Sequence, residues 1–245
     1  MGVTSAAGEA GNHLLGLLGT RDRGRLRPLL RRATVARGDI LQERGEPLAQ
    51  VLFPIDCVLS FLQVMEDGLS VEVASIGAEG ALGLAALAGE ELAAGRGVVQ
   101  VAGSIWCVEL PALRRMVAES PALAALLLRY QALLMQKVMQ SVGCNQFHTV
   151  RQRLSRWLLT LFDRVQADEL SLTHEFMSEV LGIRRPTISE LAGELQAAGV
   201  IAARRGRVLL RDRRRLERLA CECYRCGQRD HAAFRRVAEA LPATD

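Results

Sequence analysis

No apolar run in this chain of 245 residues is long enough to cross a bilayer; the longest, such as LAALLL, fall far short of the roughly 20 residues a spanning helix needs. The N-terminus, MGVTSAAGEAGNHLLGLLG, has neither the basic start nor the sustained apolar block of a secretory signal. A cytoplasmic protein with no membrane partner is the expectation. The six cysteines are no disulfide framework for a chain of this size, and Cys57, Cys107 and Cys144 stand singly among apolar neighbours, as buried free thiols do. Histidine is scarce: His13, His148, His174 and His231 are scattered, and none lies in the strand-rich segment, so the clustered ligands of a cupin-type metalloenzyme are missing. There is no Gly-x-Ser-x-Gly nucleophile turn, no phosphate loop and no paired-His metalloprotease helix. The chain does not read as an enzyme. Lysine occurs once, at Lys137; every other basic side chain is arginine.

What is present is unevenly spread. Residues 1–146 hold 13 basic and 14 acidic side chains, whereas residues 147–245 hold 18 and 13. A basic C-terminal part suits a polyanionic partner. Short alternating runs fill residues 34–110: QVLFPI, VLSFLQVM, LSVEVASIG, RGVVQVAG and SIWCVEL, separated by Gly-rich turns. They predict a small antiparallel barrel or sandwich. From Pro121 the period changes. Leu123, Leu126, Leu127, Tyr130, Leu133, Leu134 and Val138 share one helical face of a long helix, whose apolar stripe is expected to pair with the same helix of a second copy. VRQRLSRWLLTLFDRV then predicts an amphipathic helix with Leu154, Trp157, Leu158 and Leu161 inward and Arg151, Arg153 and Arg156 outward.

The stretch EVLGIRRPTISEL carries the functional signal. Thr173 is a natural N-cap for a helix from His174 to Leu181; Gly182 ends that helix, Ile183 plugs the turn, and Pro186 falls in the first turn of the next helix, where its missing N–H does no harm. Two short helices joined this tightly form a helix-turn-helix, in which the start of the second helix projects. Arg184, Arg185, Thr187, Ser189 and Glu190 are therefore presented to the major groove of duplex DNA, with Thr173 and His174 beside them. Arg can grip guanine with two donors, and Glu can accept from cytosine. In GVIAARRGRVLLRD, two strand candidates flank a turn bearing Arg204, Arg205 and Arg207, suited to phosphates.

These residues resemble the Crp/Fnr family of bacterial transcription regulators over about residues 25–220. LTHEFMSEVLGIRRPTISELAGELQAAGVI is similar to the family's winged helix-turn-helix, with Arg185 at its base-reading arginine position. Glu190 stands where many members carry another arginine, and Pro186 replaces the usual acidic residue. GDILQERGEPLAQVLFPIDCVLSFLQ is similar to the family's barrel opening, and GAEGALGLAALAGEELAAGRGVVQVAG to its ligand cassette. The resemblance implies an effector pocket at Glu79, Gly80, Arg96, Gly97 and Val98. Gly97 stands at the family's Ser position, however, and apolar Val138 and Met139 replace its purine-contacting polar pair, so the expected effector is an unidentified small molecule other than cyclic AMP. The Fnr-type iron–sulfur sensor needs N-terminal cysteines, and none precedes Cys57.

The resemblance implies an α+β chain: a helical extension at residues 1–24, a cyclic-nucleotide-binding-like β-barrel or jelly roll at 25–120, a dimerisation helix at 121–146, a winged helix-turn-helix at 147–220 and a cysteine-containing helical tail at 221–245. Its partners would be double-stranded DNA, a second copy of itself and RNA polymerase, and a ligand would act by resetting the DNA-binding domains about a hinge near His148–Thr149. In the tail, Cys221, Cys223, Cys226 and His231 are ligand types that zinc accepts. Their Cys-x-Cys spacing is tighter than usual, and on a continuing helix Cys221 would point away from the others, so packed thiols are the expectation, with redox or metal sensing as the alternative. The rival function is a ligand-binding barrel dimer whose helical tail docks a protein.

Overall fold

A computed structural model describes residues 11–239. Of the helical extension, residues 1–10 lie outside the described part; α1 (His13–Gly16) and α2 (Thr20–Leu26) form the rest. Seven strands follow: β1 (Arg31–Val35), β2 (Ile40–Gln42), β3 (Gln50–Pro54), β4 (Val58–Val64), β5 (Ser70–Ile76), β6 (Arg96–Val101) and β7 (Gly103–Glu109). They pair antiparallel in two sheets, ordered β1-β7-β3 and β2-β6-β4-β5.

The expected barrel is not closed. Val35, Leu52, Leu59, Ile76, Val99 and Ile105, drawn from both sheets, meet in one buried cluster, so the sheets are joined through side chains and not by a continuous hydrogen-bonded ladder. Register shifts in β2 and β4 bend the larger sheet without bringing its edges together. The domain is a two-layered jelly-roll-like unit.

After α3 (Leu110–Glu119) comes the long α4 (Pro121–Phe147), started by the Ser120 hydroxyl, which accepts the Leu123 amide. The stripe read from the sequence is largely consumed within its own chain: Leu123, Leu126, Leu127, Tyr130 and Leu133 are buried, and Leu134 and Val138 half-buried. A second stripe stays open. Leu128, Met135, Met139 and Val142 are 71, 60, 66 and 66% exposed. With exposed Ala132 they follow the alternating four-and-three spacing of a coiled-coil seam.

The chain breaks at His148–Thr149, where Thr149 and Gln152 form a capping box that starts α5 (Val150–Val165). Beyond it lie β8 (Glu169–Ser171), α6 (His174–Leu181), α7 (Arg185–Ala197), β9 (Ile201–Arg204), β10 (Arg207–Leu210), α8 (Arg213–Leu219) and α9 (Cys223–Glu239), with a third sheet ordered β8-β10-β9. Leu154, Trp157, Leu158, Leu161 and Phe162 of α5 are buried together with Val58, Leu62 and Val98 of the larger sheet on one side and Met177, Ile188, Leu195 and Val208 on the other. Each such side chain contributes roughly 1.5–3 kcal/mol relative to exposure. This double burial corrects the outward placement of Arg153. It is 8% exposed and donates 2.6 Å to the Leu181 carbonyl at the end of α6, satisfying an orphan helix C-terminus. The tail is also not one continuous helix: residues 220–222 interrupt it, and α9 turns back so that Phe234 and Ala238 enter the core with Leu14, Leu123 and Tyr130. The Tyr130 and Phe234 rings meet edge-on, 6.2 Å apart.

At the junction of α4, α5 and β5 sits a buried ion cluster. Arg164 donates to Glu79 Oε1 at 2.5 and 3.1 Å, and Lys137 Nζ reaches the same oxygen at 3.2 Å. Burial alone would raise the Glu79 pKa, but the two cations hold it well below the ordinary carboxylate value. A depressed pKa means stability present above the usual carboxylate range and lost as pH falls through the folded-state value. Glu79→Gln, leaving two buried cations uncompensated, is expected to destabilise the chain by about 3 kcal/mol at neutral pH in urea unfolding. The gap to the parent protein should narrow as the medium is acidified; a gap constant with pH would remove Glu79 from the stability account.

Candidate nucleic-acid interface

The helix-turn-helix is built by short-range chemistry. The Thr173 hydroxyl accepts the Phe176 amide at 3.2 Å and opens α6. Gly182 closes it at φ +63°, in the left-handed region where a side chain is strained. A Cβ there would also press on the Ser70 carbonyl oxygen at 3.2 Å and Val71 at 3.3 Å. The turn is pinned by Ser178, whose hydroxyl donates 2.5 Å to the Ile183 carbonyl. Pro186 lies in the first turn of α7, and Ile188, Ala192 and Leu195 bury its inner face.

That leaves one end of α7 outside. Arg184, Arg185 and Glu190 are exposed, and Thr187 and Ser189 half-buried. Ser189 Oγ lies 2.9 Å from His174 Nδ1, so the serine is oriented by the start of α6. Arg185 is 67% exposed and makes an open contact of 3.5 Å with Glu175, itself 77% exposed. Surface pairs of this kind contribute about 0–1 kcal/mol and are readily exchanged for another anion. Arg204, Arg205 and Arg207 stand on the β9–β10 hairpin, exposed to solvent. Arg205 and Gly206 have φ +50° and +75°, the left-handed pair of a tight hairpin turn. Arg207 Nη1 is 2.6 Å from Glu169 on β8.

The residues marked for an effector do not share one site. Glu79 is engaged by Arg164 and Lys137. Arg96 pairs with Glu43 at 2.9 Å and lies 3.9 Å from Glu179 of α6. At Gly97 the Leu82 side chain occupies the space that an approaching anion would need, 2.4 Å from an ideal Cβ position. Gly80 abuts the Tyr130 hydroxyl, and Val98 is buried. A cleft of about 280 Å³ opens instead at the junction, lined by Glu72, Glu79, Lys137, Arg156, Arg164 and His231 among others. Burial raises the Glu72 pKa there, against opposing contributions from its Ser60 hydrogen bond and from Arg156. Nothing in the sequence period marked this cleft, because its walls come from β5, α4, α5 and α9.

The tail cysteines also part company. Cys226 is half-exposed beside Arg229, and His231 lines the cleft, its pKa lowered by burial. Cys221 and Cys223 are buried against Cys144 and His148. Cys57 and Cys107 are buried free thiols, and burial pushes the Cys57 pKa up to about 12.

A profile of the Crp-like helix-turn-helix domain matches residues 152–219. Among solved structures, FixK2 from Bradyrhizobium japonicum superposes with a TM-score of 0.68 at 17% identity, over 78% of this chain and 98% of that one. A transcriptional regulator of the Crp/Fnr family from Eubacterium rectale gives 0.69 at 18% identity, over 86% and 99%. A CRP-family transcriptional regulator from Thermus thermophilus, TTHB099, gives 0.66 at 21%, over 77% and 96%. No curated protein matches the chain by sequence. At these identities the likeness is one of fold. The chain has the α+β fold of Crp/Fnr-type regulators and carries a Crp-like helix-turn-helix domain. Among the described residues, no helix is long and apolar enough to cross a membrane.

Gly182→Ala is expected to destabilise the chain by about 1 kcal/mol through the left-handed backbone alone, and by more if the Ser70 contact cannot yield. Thermal unfolding of the purified variant measures this; an unchanged midpoint would show that the turn tolerates a side chain.

Proposed function

We propose that this protein is a cytoplasmic, homodimeric transcription regulator that binds a roughly palindromic DNA site. The observation that carries the proposal is the open N-terminal end of α7. Arg184, Arg185 and Glu190 face solvent there, while Ile188, Ala192 and Leu195 hold the helix rigidly from behind. In this reading Arg185 reads guanine in the major groove, Glu190 and Thr187 meet neighbouring base edges or phosphate, and His174 orients Ser189. Arg204, Arg205 and Arg207 reach phosphates beside the groove. Dimerisation runs along the exposed stripe of α4 from Leu128 to Val142, and places two α7 ends about one helical turn of DNA apart. RNA polymerase is the further partner such a regulator would meet. A small-molecule effector, if the sensor unit takes one, fits the junction cleft better than the space over Gly97, because the cleft is open and Leu82 covers Gly97.

Duplexes selected from a random library by the full-length protein supply the probe. Arg185→Ala should weaken binding to the selected site by about 1–3 kcal/mol, roughly 5–150-fold, and blur discrimination at one base pair of each half-site. Discrimination unchanged at every position would take Arg185 out of the base-reading role. Arg205→Ala and Arg207→Ala should lower affinity for selected and unrelated duplexes alike and flatten the salt dependence. Met135→Lys combined with Met139→Lys should give a monomer by light scattering, with loss of binding to the paired half-sites. A double variant that stays dimeric would place the subunit contact elsewhere.

A further inference from the structure

Four side chains outside the proposed DNA surface converge at the end of α4. Cys144 lies in its last turn and His148 four residues on, at the cap, so both face the same side. Cys221 and Cys223 approach from the break between α8 and α9, where the non-helical residues 220–222 free Cys221 from the direction a helix would impose. One atom from each, three Sγ and an imidazole nitrogen, lies within 4.8 Å of all the others. Among these, Cys144 Sγ lies 3.7 Å from Cys221 Sγ, and Cys223 Sγ lies 3.6 Å from His148 Nδ1.

These distances are those of a metal cage. Bonds of about 2.3 Å from zinc to sulfur and about 2.0 Å to nitrogen give tetrahedral edges near 3.8 Å between sulfurs and near 3.5 Å between sulfur and nitrogen. A disulfide would need its sulfurs at about 2.05 Å. Cys144, Cys221 and Cys223 are 1, 4 and 5% exposed, so the cage is closed, as structural zinc sites are, with no open coordination position.

The surroundings fit the same ion. His148 Nε2, the nitrogen turned away from the thiols, lies 3.0 Å from Glu222, the carboxylate support that fixes a ligating imidazole. The Gln140 amide donates to Cys223 Sγ at 2.8 Å. Three thiolates around a dication leave one net negative charge. Arg153 and Arg156 lie within electrostatic reach of Cys144, and each has a buried Nε with no hydrogen-bond partner among the described residues. Thiolate with imidazole is a donor set that suits zinc and not calcium or magnesium.

We infer that Cys144, His148, Cys221 and Cys223 form a structural zinc site that clamps the end of α4 to the start of α9. Binding displaces the thiol protons to solvent, and the imidazole binds through its neutral Nδ1. Cys226 and His231, which share the tail, take no part. The inference goes beyond the DNA-binding reading and stands without it, since its test involves no DNA.

The test is metal content and cobalt spectroscopy on the full chain. Protein purified without chelator should carry stoichiometric zinc by elemental analysis. Metal-free protein, reduced and kept anaerobic, should take up cobalt(II) with intense tetrahedral d–d bands and thiolate charge transfer. Zinc should fall to background in Cys221→Ser and in His148→Ala, and stay stoichiometric in Cys226→Ser and His231→Ala. The cobalt spectrum of the parent chain keeps the question open to decision if a cysteine variant misfolds. A parent chain that takes up neither metal, a Cys144–Cys221 disulfide in the freshly isolated protein, or zinc lost with Cys226 and kept without Cys221 would each overturn the site.

Discussion

Helix α5 is packed on both sides, and that is the constraint on which the arrangement depends. One side meets Val58, Leu62 and Val98 of the larger N-terminal sheet, and the other meets the buried face of the helix-turn-helix. Trp157 and its neighbours are shared by both units, so neither can move without disturbing the same side chains. Close-packed interiors change between discrete arrangements more readily than they deform. A rearrangement of the N-terminal sheets would therefore reach the helix-turn-helix as a change of seating at α5.

The polar contacts around α5 follow the same logic. Arg164 near its end fastens it to Glu79 of the N-terminal unit, with Lys137 of α4 sharing the carboxylate. Arg153 nearer its start closes the carbonyl end of α6. Further out, the Ser70 hydroxyl donates to the Glu179 carbonyl at 3.3 Å, and Arg37 donates to the Ser171 carbonyl at 2.8 Å. The N-terminal unit and the helix-turn-helix are thus stitched across the buried helix by side chains of both, while the N-terminal end of α7 takes no part in the stitching.

What could be read in the sequence was what depends on neighbours along the chain. Thr173, Gly182 and Pro186 act within a turn of themselves, and α6 and α7 lie where those residues place them. Five strands with clear alternation lie where their runs are; β1, which begins with two exposed arginines, and three-residue β2 carry too little pattern to announce themselves. What depends on distant partners was hidden. Arg153 sits on the polar side of a helical wheel, yet it is buried, because a second body covers that side. Cys144 looked solitary because its companion thiols are 77 and 79 positions away in the chain. The strands suggested a barrel or a sandwich, and which of the two forms depends on bulges and edge positions that alternation does not encode. The apolar positions of α4 were visible, though not their division between an inner stripe and an outer one.

The return of α9 to the N-terminal core has a topological consequence. Because Phe234 and Ala238 pack with Leu14 and Tyr130, the polypeptide leaves the N-terminal body at His148 and re-enters it after Ala220, and the helix-turn-helix is an insert between those crossings. A domain tethered by one strand can swivel freely, like a flag on a pole. One held at two adjacent points cannot swivel about a single tether, and with α5 packed into both bodies the orientation of α7 relative to the N-terminal sheets is fixed further.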